Sequence, residues 1–172
     1  MKSTLRLLAA LAAAPLLMAA AAPDPTYSIT YPAGWTAQVQ EGLVKADNGQ
    51  GSANCNSYPS RVPDLVITQS EINDGLVADW AVADWAGYMG VAPDKIQLIE
   101  THARRDGAFA YRSATIYIPV GAVQGQTTDM YAYIAVSMTP GWAFNAGCYA
   151  RTDVYPTLKG TLQATVDSLR VK

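Results

Sequence analysis

Apolar and polar positions alternate every second residue in several segments of this chain, with two stretches of helical spacing set between them. Tyr27-Ser28-Ile29-Thr30-Tyr31 predicts a strand, and Pro32-Ala33-Gly34 predicts the turn that ends it. Trp35 to Gln40 and Gly42 to Ala46 read as the next two strands, followed by a turn cluster at Asp47-Asn48-Gly49-Gln50-Gly51. Ser52 to Tyr58 is strand or loop, and the apolar run Leu65 to Ser70 predicts a further strand. Asn73 or Asp74 is placed to cap a helix over Gly75 to about Met89, which Gly90 and Pro93 would end. Within it lies a tandem pentapeptide, Val77-Ala78-Asp79-Trp80-Ala81 and Val82-Ala83-Asp84-Trp85-Ala86. Five residues turn about 500° at 3.6 residues per turn, so Trp80 and Trp85 would point about 140° apart on one helix. Either that helix lies between two layers or one indole meets solvent and serves as a contact.

Lys95 to Arg105 and Ala108 to Pro119 predict a hairpin around Asp106-Gly107, in a register that sets His102 opposite Tyr111 and Glu100 opposite Ser113. Gly121 to Gln126 is a polar connection. Thr127 to Met138 is a long strand with Met130, Ala132, Ile134, Val136 and Met138 on one face and Tyr131 and Tyr133 on the other. Pro140-Gly141 turns the chain into a strand from Trp142 to Ala150. A closing helix capped near Thr152 or Asp153 carries Pro156 in its first turn and one apolar stripe, Leu158, Leu162, Val166 and Leu169. Six to eight hairpin-connected strands with a middle and a final helix make an α+β fold, a mainly antiparallel sheet covered by helices.

Residues 1–22 stand apart. Lys2 and Arg6 precede an apolar run from Leu7 to Met18 and the small residues Ala19 to Ala22, the layout of a secretory signal peptide cleaved near Ala20 to Ala22. The run is too short for a stable membrane anchor, which needs about 20 residues. Residues 23–172 are then one exported globular domain, periplasmic or secreted. Without Lys2 and Arg6 the balance is 10 basic to 14 acidic residues, a net charge of −4, which argues against nucleic acid as a partner. In an oxidising compartment Cys55 and Cys148 become disulfide candidates. Closing so large a loop is worth roughly 4–5 kcal/mol in the chain-entropy account.

Tyr27-Ser28-Ile29-Thr30-Tyr31-Pro32-Ala33-Gly34-Trp35 resembles the opening of the PsbP-like superfamily, and Ser168-Leu169-Arg170-Val171 resembles its close. The resemblance spans about residues 26 to 172 and implies an α-β-α sandwich without a shared active site. Superfamily members include a photosystem extrinsic subunit, a nuclear-transport factor, bacterial envelope proteins and secretion-effector chaperones, and most act by binding. The matching positions are structural, so the resemblance carries over no functional residue.

Catalytic chemistry is sparse. His102 is the single histidine, and a hydrolase would need it as general base with Ser113 and Glu100 nearby. No G-x-S-x-G elbow accompanies them. Asp47-Asn48-Gly49-Gln50 starts like a calcium loop but lacks the later acidic ligands, and one histidine with two pairing cysteines makes a poor zinc set. No metal or cofactor is expected. Arg104 and Arg105, with Arg112 nearby, form a basic hairpin tip, and Tyr131, Tyr133 and Tyr149 fall on adjacent strands. The leading expectation is a non-enzymatic accessory protein that contacts another envelope or secreted protein through Trp80, Trp85, Arg104 and Arg105. The alternatives are a carrier of a small apolar or aromatic ligand in a cleft lined by Tyr and Trp, and a hydrolase using His102.

Overall fold

The computed structural model describes residues 26–40, 42–62 and 67–172. The expected leader, residues 1–22, and Leu65 and Val66 of one expected strand lie outside them. Three meandering strands open the chain, β2 (Thr36–Gln40), β3 (Leu43–Asp47) and β4 (Ala53–Arg61), after a two-residue β1 (Tyr27–Ser28). Two short helices follow, α1 (Gln69–Val77) and α2 (Val82–Met89). A second meander comprises β5 (Gln97–Asp106), β6 (Phe109–Ile118), β7 (Met130–Thr139) and β8 (Trp142–Arg151). Helix α3 (Tyr155–Asp167) and β9 (Arg170–Val171) close the fold.

The two meanders join at β4 and β8 to give a seven-stranded antiparallel sheet, ordered β2-β3-β4-β8-β7-β6-β5, while β1 pairs with β9. Period-two alternation divides the side chains of β7 as the sequence implies. Ala132, Ile134 and Val136 pack toward α1 and α2, whereas Tyr133 and Ala135 pack toward α3. The stripe Leu158, Leu162, Val166 and Leu169 seats α3 on its face, over Phe144, Ala146 and the Cys55–Cys148 disulfide. The result is an α+β sandwich with helices on both faces.

Several local expectations are corrected. Ile67 and Thr68 are not strand, and Gln69-Ser70 begin α1. Thr68, rather than Asn73 or Asp74, caps that helix: its hydroxyl accepts from the Glu71 amide and the Glu71 carboxylate accepts from the Thr68 amide. The single helix over Gly75 to Met89 is two helices. The Asp84 carboxylate accepts the Ala81 amide at 2.7 Å and starts α2 there, so residues 78–81 form a corner. Because Trp80 sits in that corner, the indoles do not diverge by 140°. Their centroids lie 5.0 Å apart, and Tyr88 packs on both.

The hairpin loop is Gly107-Ala108, not Asp106-Gly107, with Gly107 at φ 58° in its first position. The register therefore shifts by two residues. His102 faces Ser113, Glu100 faces Thr115 and Arg104 faces Tyr111. A shift of two leaves every side chain on its expected face while changing its partner. Finally, the N-cap of α3 is Val154, without a side-chain hydrogen bond, and neither Thr152 nor Asp153 serves.

Candidate binding site

The sequence-derived contact residues are mostly spent inside the protein. Trp85 is completely buried beneath α2 and offers no surface to a partner. Trp80 is half-buried, and its indole donates to the Gly75 carbonyl. The Arg104 guanidinium stacks on the Tyr111 ring, 3.8 Å from its centroid, and donates to the Asp167 and Leu169 carbonyls. Arg105 pairs with Asp74 at 2.9 Å, and Asp106 takes Arg170 at 2.7 Å. The basic hairpin tip is thus a neutralised seam against α1 and β9.

His102, Glu100 and Ser113 do come together, but not as a catalytic relay. His102 is exposed and lies 3.7 Å from Glu100. Ser113 is buried, and its hydroxyl meets the Tyr133 hydroxyl at 3.1 Å. Tyr133 donates its one proton to Asp167, so the Ser113 proton goes to Tyr133 and not toward the imidazole. Burial, with the Asp167 charge adding to it, pushes the Tyr133 phenol up to about 12. Among the described residues no group of three or more His, Cys, Asp or Glu side chains could hold a metal.

The three tyrosines on adjacent strands are split between the two faces of the sheet. Tyr131 and Tyr133 face α3, where Tyr131 stacks on Tyr155 at 4.5 Å. Tyr149 pairs opposite Ala132 and faces α2. There it joins two tyrosines the sequence reading passed over, Tyr58 from β4 and Tyr88 from α2, around a half-open cavity of 340 Å³. The cavity is roofed by α2 and the connection between β6 and β7, with the β4-β8-β7 sheet as its floor.

The floor follows from the strand register. Asn56, Gly147 and Ile134 lie side by side in one cross-strand row, with Tyr58 and Asn145 paired in the next. Gly147 is the informative residue, because a glycine inside a strand weakens it unless something must approach closely. A β-carbon there would stand 3.0 Å from the Tyr149 hydroxyl and 3.1 Å from both its ring and Ile134. The missing side chain lets the Tyr149 ring lie along β8. Across the cavity Tyr88 donates to the Asn145 side chain at 2.5 Å, and the Asn145 amide in turn donates to the Tyr58 carbonyl and the Ser60 hydroxyl.

Met89, Met130, Ile118 and Val123 complete an apolar half. Burial raises the Tyr88 phenol far above its ordinary value and pushes Tyr149 up to about 12, with Tyr58 adding to both. Both phenols therefore stay protonated and neutral at any physiological pH. Gln126 also lines the cavity. Its amide nitrogen donates to the Ile118 and Thr128 carbonyls, while its buried oxygen has no donor among the described residues. Among the described residues no Asp, Glu, Lys, Arg or His lines the cavity. Such a cavity can hold a molecule by stacking, apolar contact and neutral hydrogen bonds, and it holds no general base or nucleophile for chemistry.

A sheet with this order and helices on both faces defines a fold whose solved relatives can be compared directly. No protein-family model matches the sequence, and no curated protein matches it. Solved structures do. The solution structure of cyanobacterial PsbP (CyanoP) from Synechocystis sp. PCC 6803 is 16% identical, with 85% of this chain and 86% of that one covered at a TM-score of 0.52. LpqN of Mycobacterium tuberculosis, involved in cell envelope biogenesis, is 10% identical over 88% of this chain and 87% of that one, also at 0.52. The Ran-binding protein Mog1p of Saccharomyces cerevisiae is 8% identical over 86% of this chain and 95% of that one at 0.49. The fold is PsbP-like, as the Tyr27 to Trp35 opening implies.

Proposed function

We propose that this is an exported, non-enzymatic accessory protein of the bacterial envelope that works by holding a small molecule in the cavity between α2 and the sheet. The observation that carries this reading is the composition of that cavity, with three tyrosines, two asparagines and a strand glycine beside an apolar half and, among the described residues, no acidic or basic side chain. Its volume falls in the range of about 300–1,000 Å³ typical of ligand pockets. Export is supported by the leader pattern of residues 1–22 and by the Cys55–Cys148 bond. The PsbP-like fold of an envelope-biogenesis protein agrees with it at the level of fold. A hydrolase built on His102 draws no support from a serine whose proton is committed to Tyr133. The test is native mass spectrometry of the protein purified from its exporting cells. Retained mass that leaves on denaturation is the expected result, and a bare chain that binds no small molecule would overturn the reading.

One observation favours contact with another envelope or secreted protein instead. A second, apolar groove of 270 Å³ runs between α1 and the β7–β8 turn, bordered by Ile72, Leu76, Trp80 and Met138. Photo-crosslinking from position 80 in intact cells would trap one protein consistently if this groove were the working surface.

A further inference from the structure

From the tyrosine cavity, and resting on the small-molecule reading above, we infer the class of its ligand: a neutral, flat aromatic molecule of one or two rings carrying a hydroxyl or carbonyl group. Three features of the wall lead to this class.

The first is charge. Among the described residues no side chain lining the cavity carries a formal charge, and the Tyr88 and Tyr149 phenols stay protonated. An ionised ligand would leave water without gaining a counter-charge, a cost that neutral walls do not return. The second is shape. Tyr58, Tyr88 and Tyr149 come from three different elements and converge on one space, where rings offer stacking faces and edges. Gly147 keeps the floor under Tyr149 flat, since any side chain there would lift the ring. A flat guest uses this geometry, and a bulky saturated one does not. The third is polarity. Tyr88 is already tied to Asn145, but its oxygen can still accept, and Asn56 lies beside the Tyr149 hydroxyl. The Gln126 oxygen is a buried acceptor with no donor among the described residues. One polar substituent on the guest finds partners here, while the rest of the molecule meets Met89, Met130, Ile118 and Val123.

The experiment is calorimetric titration of the folded mature chain with three shape-matched probes: 2-naphthol, its anionic counterpart 2-naphthoate, and saturated decahydro-2-naphthol. Binding of 2-naphthol in preference to both others is expected. Tyr58→Ala, at a residue 39% exposed and therefore tolerant of change, is expected to weaken 2-naphthol about fivefold by removing one stacking face. Tyr149→Phe, which keeps the ring and removes the hydroxyl, is expected to weaken 2-naphthol about fivefold and to leave naphthalene unchanged.

Preferential binding of the anion or of the saturated probe would overturn the ligand class and leave the cavity reading standing. So would a charged or acyclic molecule found bound to protein from its exporting cells. Failure of all three probes, together with a bare chain in native mass spectrometry, would overturn both. Binding of 2-naphthol that is indifferent to Tyr58→Ala and Tyr149→Phe would place it outside this cavity and overturn the assignment.

Discussion

Arg112 on β6 is buried, yet the carboxylate nearest to it, Asp79 in the corner between α1 and α2, is fully exposed and 3.8 Å from its Nη2. A buried cation thus leans on a solvated anion, and its Nε and Nη2 have no hydrogen-bond partner among the described residues. An exposed partner contributes little, about 0–1 kcal/mol, whereas unsatisfied buried donors cost about 1–3 kcal/mol. Arg112→Met is therefore expected to stabilise the protein by about 1 kcal/mol in urea denaturation, in line with replacements of other buried ion pairs by apolar residues. Asp79→Asn is expected to change stability by less than that. A loss of stability in Arg112→Met would mean that the cation is held by more than Asp79.

The Cys55–Cys148 bond joins directly opposed residues of β4 and β8, strands that are paired along the whole of β4. Reduction is expected to leave the fold intact and lower its melting temperature. The upper limit is set by the chain-entropy value of about 5 kcal/mol, roughly 10–20 °C for a domain of this size. Circular dichroism melts with and without reductant, read together with a free-thiol count, check both parts. Unfolding on reduction at room temperature would contradict the view that the ladder stands without the bond.

Gly147→Ala puts a methyl group 3.0 Å from the Tyr149 hydroxyl. The ring must swing away from β8, at an expected cost of about 1–3 kcal/mol as overpacking. Pairing the change with Tyr149→Ala should recover most of that loss. Additive losses in the double variant would mean that Ile134, not the ring, is the obstacle.

Stability should also respond to acid through Glu100. A hydrogen bond from Thr115 at 2.7 Å holds its carboxyl below the ordinary value of 4.5, with Lys159 and His102 adding to the effect. A depressed carboxyl contributes stability above its unfolded value and loses it as pH falls through the folded one. Glu100→Gln should therefore be less stable than the native chain at pH 7. The gap should begin to close as pH falls below about 4.5 and vanish once the native carboxyl is protonated. Denaturation midpoints across pH 3 to 7 measure it. A gap independent of pH would point to lost hydrogen bonding alone.

Strand alternation made the sheet legible. The faces of β7 and the α3 stripe fell where their period placed them, because those signals are local and repeated, and the two cysteines paired as an oxidising compartment implies. The misses arose where one polar contact outweighed a pattern. Thr68-Gln69-Ser70-Glu71 is a capping box in plain sequence, but it lies within and just past the run Leu65 to Ser70 that suggested a strand. Asp84 divides the helix by capping Ala81, although the two pentapeptides look alike. The cavity was the least visible feature. Tyr58, Tyr88 and Tyr149 are far apart in sequence and belong to three elements, so no spacing links them. Gly147, an unexplained glycine in a strand, was the one local hint.

The sheet's order also sets a timetable. β2, β3 and β4 are made first, yet the strand that shelters the free side of β4 is β8, the last of the long strands. A chain that emerges from its N-terminus must keep a three-stranded ribbon waiting with one flank open, and Cys55 unmated, until 93 further residues have appeared. Assembly of the centre is thus necessarily a late event. Truncated chains that stop before Trp142 would be the ones most exposed to mispairing and to capture by helper proteins.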